Sequence, residues 1–180
     1  IKNNTDVVEL SKQYLVDCGS EFDSRINGCD GSASIPVMNF FINKGAVLEH
    51  DYPYKAKKGK CKQGVRVAYK PAAYAMIKPG VANLIDAIAQ MPVALSIEID
   101  DNLQFYSGGI YRNFAPCGFF QNHMLLAVGY DLGDEYPHLI IQNSFGTDWG
   151  EDGYLRFALG VLESDGMCAI AAIDNFMFIN

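Results

Sequence analysis

Apolar residues recur along this chain at helical spacing in its first part and at strand spacing in its second. Val7, Val8, Leu10, Tyr14 and Leu15 surround polar Glu9, Ser11, Lys12 and Gln13, the grouping of one helix face. Ser11 stands where a hydroxyl can cap the first turn, so the pattern predicts a short helix running to Cys18. A loop rich in Gly and Asp follows, from Gly19 to Ser32. Ile35, Val37, Met38, Phe40, Phe41 and Ile42 line a second amphipathic helix. Pro36 is tolerated in its first turn, where an N–H has no helical partner anyway, and Gly45 ends it.

Val81 to Gln90 repeats the helical spacing through Leu84, Ile85, Ile88 and Ala89, and Met91-Pro92 stops it, because a residue before proline avoids the helical region. The period then changes to two. Val93 to Ile99, His123 to Tyr130, His138 to Gln142, Gly153 to Phe157 and Met167 to Ile173 read as strands separated by Gly, Asp and Pro. The fold class is therefore α+β. A helical, loop-rich part covers residues 1–75 and a β-rich part, an antiparallel sheet or barrel, covers 76–180. The cleft between two such lobes is the default place for a ligand.

Composition narrows the functions open to this pattern. The chain has 180 residues, 49% hydrophobic and 19% charged, enough for one compact unit or two small lobes. A net charge of -7 and a pI near 4.8 disfavour nucleic acid as a partner, since affinity for phosphates needs an excess of Lys and Arg. Lys55, Lys57, Lys58, Lys60 and Lys62 cluster locally among small polar residues and read as a solvated loop. The apolar runs are far shorter than the roughly 18 residues of a membrane-spanning helix, so no membrane segment is expected. Ile1 is not an initiator Met, so the start reads as processed or truncated, and Asn3-Asn4-Thr5 is a glycosylation sequon, which fits a secretory route.

The candidate chemistry lies in two segments. Asn122-His123 opens the apolar run from Met124 to Val128, and Gln142-Asn143-Ser144-Phe145-Gly146-Thr147-Asp148-Trp149-Gly150 follows. A neutral imidazole takes a proton from a nucleophile only if its ring is held in one tautomer, and a buried Asn carbonyl can hold it. His123 and Asn143 thus supply a base and its orienting amide, without a nucleophile beside them. His50 and His138 have no such partner in the sequence and read as structural or exposed. The carboxylates Glu98, Asp100 and Asp101, and likewise Asp131, Asp134 and Glu135, read as solvated groups. Cys18, Cys29, Cys61, Cys117 and Cys168 lack the short spacings of a zinc site, so no metal and no cofactor is expected and disulfides are the better reading. The odd count leaves one thiol unpaired within the chain. Cys29, in Gly28-Cys29-Asp30-Gly31, has an acidic neighbour where a reactive thiolate wants a cation, so it too reads as structural.

These residues carry a resemblance to the papain-like cysteine proteases, which include the cathepsins. Leu10-Ser11-Lys12-Gln13-Tyr14-Leu15-Val16-Asp17-Cys18 resembles the family's L-S-E-Q-x-L-V-D-C, and Gly28-Cys29-Asp30-Gly31 its G-C-N-G. Asp51-Tyr52-Pro53-Tyr54 matches another family segment, and His123 with Ala127-Val128-Gly129-Tyr130 resembles the histidine strand. Asn143-Ser144-Phe145-Gly146 with Trp149-Gly150 resembles N-S-W-G-x-x-W-G, with Phe145 in place of the usual Trp. The resemblance implies a two-lobe fold, a helical left lobe and a β-barrel-like right lobe, and a peptidase using a Cys-His-Asn triad. In the family the nucleophilic Cys precedes the His by roughly 130 to 150 residues, which puts it upstream of Ile1. The left lobe would then lack its N-terminal part and most of the central helix, and the chain as given would be inactive alone.

By the same resemblance Cys18 pairs with Cys61 and Cys117 with Cys168, while Cys29 bonds a cysteine upstream. Substrate contacts are implied for Gly31, Ser32, Ala33, Ser34, Ser96, Asn122, Met124, Phe145, Trp149 and Ile173. Ile173 stands where some relatives place an acid, which implies a taste for apolar residues in that pocket. Implied partners are peptide or protein substrates, a propeptide and protein inhibitors of cysteine proteases; the implied location is secreted or lysosomal/vacuolar. Two rivals remain: a catalytically inactive relative that keeps the fold for binding, and a Cys-His-Asp acyltransferase, which Asn143 disfavours.

Overall fold

The computed structural model describes residues 8–99, 101–112, 121–160, 166–172 and 175–179. Its Cα positions group into two compact units, Ile1–Tyr74 with Phe178–Asn180, and Ala75–Met177.

The first unit is built on two helices. Helix α1 is Lys12–Phe22, and Ser11 caps it by accepting a hydrogen bond from the Tyr14 amide at 3.0 Å. It runs four residues beyond the expected end at Cys18, because Gly19 lets the helix lie against Ile26, where an added Cβ would collide with that side chain. The expected loop to Ser32 therefore starts later and contains a short 3₁₀ turn, Gly28–Asp30. Helix α2 is Ser34–Lys44, with Pro36 in its first turn and Gly45 at its end. Cys18, Ile26 and Phe40 form the core between these elements, joined by Tyr14, Leu15, Phe22, Val37 and Phe41.

A buried polar network ties the following loop to α1. Asp17, 4% exposed, accepts hydrogen bonds from Gln13 Nε2 at 2.7 Å, the Tyr52 hydroxyl at 2.9 Å and the Gly59 amide at 2.6 Å. Burial pushes its carboxyl pKa up, but these three donors and the charge of Lys55 outweigh burial and hold it below the ordinary carboxylate value. The Cys18–Cys61 disulfide fastens the same loop, confirming that expected pair. Lys55, Lys57, Lys58, Lys60 and Lys62 are exposed.

The second unit carries most of a seven-stranded sheet. In chain order the remaining elements are β1 (Ala73–Met76), α3 (Val81–Ile88), β2 (Val93–Ile97), β3 (Ile110–Tyr111), β4 (His123–Asp131), β5 (His138–Gln142), β6 (Tyr154–Ala158) and β7 (Phe176–Ile179). The strand order is β1-β7-β2-β4-β5-β6-β3. Its central pairs are antiparallel, and the short β3 joins β6 in parallel. Val93, Leu95 and Ile97 of β2 face Leu125, Ala127, Ile141 and Leu155 in the core, and α3 covers them with Val81, Leu84 and Ile88.

One expectation changes here. The strand expected over 167–173 is instead a 3₁₀ turn at Met167–Ala169, where Cys168 takes a φ of 53°, incompatible with an extended chain. The paired strand in this region is β7, and an apolar run next to Gly166 could not by itself distinguish the two. Cys168 is disulfide-bonded; the Cys117 expected opposite it lies outside the described residues, as do Ile173, Asp100 and the sequon Asn3-Asn4-Thr5. Among the described residues no helix is long and apolar enough to cross a membrane, and no three potential ligands converge on a metal position.

Candidate active site

Strand pairing brings His123 and Asn143 together across twenty residues of sequence. Leu126 pairs with Gln142, so one further step of the register sets Leu125 opposite Asn143 and leaves His123 diagonal to it. A diagonal pair on one face of a sheet is within reach of side chains. His123 Nε2 lies 2.9 Å from Asn143 Oδ1.

That geometry selects a tautomer. Asn143 Oδ1 also accepts the Ser144 backbone N–H at 2.8 Å, which identifies the atom as an oxygen and hence as an acceptor. Nε2 must therefore be the donor. In the neutral imidazole the lone pair then belongs to Nδ1, the nitrogen left free to take a proton. Asn143 Nδ2 is buried without a hydrogen-bond partner among the described residues.

The loop after β5 holds Asn143 in place. Its backbone N–H donates to Gly153 O at 2.9 Å, and Gly153 N–H donates to Trp149 O at 2.8 Å. Gly150 makes the turn possible: its φ is 62°, and a Cβ there would lie 2.5 Å from Tyr154 O. Phe145 leans on the imidazole, ring centres 5.3 Å apart, and meets Trp149 edge-on at 5.3 Å. Trp149 is 9% exposed and its Nε1–H donates to the carbonyls of Leu103 and Gln104 at 3.2 and 3.1 Å. The aromatic pair thus stands on the side of the imidazole toward this loop, with Phe145 still open to solvent.

Behind Trp149 sits a second frame. The Tyr106 ring packs on it at 5.4 Å and the Tyr106 hydroxyl donates to Gly109 O at 2.6 Å. Glu151 binds Arg156 Nη2 at 2.7 Å and the Gly109 amide at 2.9 Å. The Arg156 guanidinium holds the Glu151 carboxyl below its ordinary pKa. Leu103, Gln104, Tyr106 and Glu151 were not singled out in the sequence. Leu103 and Gln104 contribute backbone carbonyls, Tyr106 its ring and hydroxyl, and Glu151 a carboxylate shared by Arg156 and Gly109, an arrangement that no motif spacing encodes.

The other expected site residues fall into separate groups. Ser96 and Met124 are opposite one another on β2 and β4, with Ser96 Oγ 2.7 Å from Met124 Sδ. Asn122 spends both amide atoms on the backbone of Ile99, accepting from its N–H at 2.9 Å and donating to its carbonyl at 3.1 Å. Gly31, Ser32, Ala33 and Ser34 belong to the first unit, where they lead into α2; Ser32 Oγ donates to Ala33 O at 2.8 Å. Cys29 is free and exposed. His50 is exposed beside Asp51, whereas His138 is buried and its Nδ1 lies 2.9 Å from Tyr136 O. Glu98 departs from its expected solvated state: it is half-buried, and Oε2 is buried without a partner among the described residues.

A match to the family model of "Papain family cysteine protease" spans residues 1–176. The chain belongs to the papain family of cysteine proteases. It is 36% identical over 175 residues to mexicain from Jacaratia mexicana, covering 94% of this chain and 77% of that protein. Fruit bromelain from Ananas comosus is 34% identical over 176 residues, covering 94% of this chain but 48% of the relative. The chain thus spans about half the length of that relative. Among solved structures, the bromelain protease from Ananas comosus in complex with the E64 inhibitor superposes with a TM-score of 0.85 at 32% identity. That match covers 98% of this chain and 80% of the other. Mixed α and β composition with one seven-stranded sheet is thus the papain-like fold in this chain.

Proposed function

We propose that this chain supplies two members of a Cys-His-Asn triad in a peptidase, His123 as base and acid and Asn143 as its orienting amide. The observation that carries the reading is the bond from His123 Nε2 to Asn143 Oδ1, which leaves Nδ1 as the proton acceptor. The nucleophilic cysteine, in this reading, is on a segment N-terminal to Ile1, and a second cysteine there pairs with the exposed thiol of Cys29. The fold is the two-lobe one, with residues 1–75 as the helical lobe and 76–180 as the barrel-like lobe.

In the reaction, Nδ1 takes the thiol proton and the resulting imidazolium stabilises the thiolate. The thiolate attacks the peptide carbonyl, and the Nδ1 proton passes to the departing amine as the C–N bond breaks. Water, deprotonated by the same nitrogen, then hydrolyses the thioester and restores the thiol. Asn143 contributes by keeping Nε2–H engaged, so that one nitrogen always faces the reaction. Gly31, Ser32, Ala33, Ser34, Ser96, Asn122, Met124, Phe145, Trp149 and Ile173 are proposed to contact the peptide. Met124, 38% exposed on β4, supports an apolar acyl-side pocket. Peptide substrates, a removable pro-segment and protein inhibitors are its partners, in a secreted or lysosomal/vacuolar setting; E64 on the bromelain protease is the parallel for inhibitors.

The test is labelling of the full-length protein with a thiol-directed covalent inhibitor, together with peptide hydrolysis by the wild type and His123→Ala. Labelling upstream of Ile1, with hydrolysis that His123→Ala abolishes, is expected. A full-length protein with Ser or Gly at the nucleophile position, or one that binds peptides without cleaving them, overturns the reading in favour of a binding protein.

A further inference from the structure

Next to His123 the second unit has a cavity of about 310 Å³ lined by Ile99, Asp101, Gln104, Asn122 and Phe145. Asn122 precedes the histidine in the chain and Phe145 touches its ring, so the cavity opens beside the imidazole on the side of the Asn143 loop. Under the peptidase reading, on which this inference rests, a cavity flanking the base is a place where the residue carried by the departing amine can sit. The residues around it divide sharply. Ile99 and Phe145 are apolar walls. Asn122 has both amide atoms committed to the Ile99 backbone, so it stiffens the wall and has little left to offer a ligand. Gln104 gives its carbonyl to Trp149. Among the described residues Asp101 is the one ionisable group in the lining. It is exposed, and its carboxylate has no ion pair or hydrogen bond among the described residues.

We infer that Asp101 is a specificity residue for the leaving side of the scissile bond, selecting peptides with Arg or Lys immediately after the cleaved bond. A cationic head reaching over the apolar floor of Ile99 and Phe145 lays its methylene stem on those side chains and places its charge near the carboxylate. The carboxylate keeps its water, so the discrimination is modest and salt-dependent, about twofold to fivefold in kcat/KM. An acidic residue at the same position is disfavoured by like charge. The acyl side of the substrate is not involved, which keeps this preference independent of the apolar pocket near Met124.

The experiment uses the full-length enzyme and peptides identical except for Arg, Ala or Glu after the scissile bond, at low and at 1 M salt. Expected is the order Arg above Ala above Glu at low salt, collapsing in 1 M salt, where screening acts over about 3 Å. Asp101→Asn brings the Arg-to-Ala and Glu-to-Ala ratios to near one, and Asp101→Lys reverses the preference toward Glu. A preference for Arg that survives in Asp101→Asn, or a flat profile in the wild type, overturns the inference while leaving the peptidase reading intact. Failure to cleave any of the three peptides overturns the peptidase reading itself, and this inference with it.

Discussion

Replacing Asn143 with Ala removes the acceptor that faces His123 Nε2 at 2.9 Å while leaving both strands of the sheet in place. The size of the effect depends on the charge of the ring. A hydrogen bond between neutral groups contributes about 0.5–1.5 kcal/mol, and one to a charged group about 1.5–3 kcal/mol. In the proposed cycle the imidazolium is present in the thiolate pair and until the amine leaves, so the charged range applies. Loss of about 1.5–3 kcal/mol lowers kcat about 10- to 150-fold. KM changes little, because Asn143 holds the base and not the peptide. Asn143→Asp keeps an acceptor at Nε2 and stays more active than Asn143→Ala. The assay is steady-state hydrolysis of a peptide by the full-length enzyme, with circular dichroism to confirm that each variant is folded. A folded Asn143→Ala enzyme with wild-type kcat refutes the assignment of Asn143 as the group that sets the tautomer.

Other perturbations test the frame around the site. Asp17→Ala leaves the donors of Gln13, Tyr52 and Gly59 without their shared acceptor and is expected to cost about 3–5 kcal/mol in urea unfolding. Because the folded pKa of Asp17 is lowered, its contribution is fully present above the ordinary Asp value of about 4 and is lost as pH falls through the folded value. The gap between wild type and Asp17→Ala should therefore narrow in acid, and a gap that widens there contradicts the network. Trp149→Phe keeps an aromatic ring but deletes the donor to Leu103 O and Gln104 O, so unfolding free energy should fall by about 1–3 kcal/mol. Replacing Cys18 and Cys61 together by Ala opens a link between residues 43 apart, for which chain entropy gives a loss of up to about 4 kcal/mol; an unchanged denaturation midpoint rules this out.

Local physics made much of this fold legible in the sequence. Ser11, Pro36 and Gly45 marked helix boundaries because capping and backbone φ are properties of a few neighbouring residues. The alternation through Val93, Leu95 and Ile97 marked β2 because one face of that strand is buried. Where the same rules failed, packing between distant residues decided the outcome. Gly19 continues α1 because Ile26 lies against it, and Met167–Ala169 turns where its apolar run suggested a strand. The short strands β1, β3 and β7 carried no period long enough to detect.

The sequence by itself determined which chemistry is available: a histidine, an orienting amide, aromatic neighbours and a family pattern shared along the chain. Residue type and order fix those, since they are chosen for what the side chains can do. Only the tertiary structure decided which imidazole nitrogen is engaged, what holds Trp149, and that Asp101 shares a cavity with Phe145. Each of those facts depends on strand register and loop closure, and these are set by how the whole core packs.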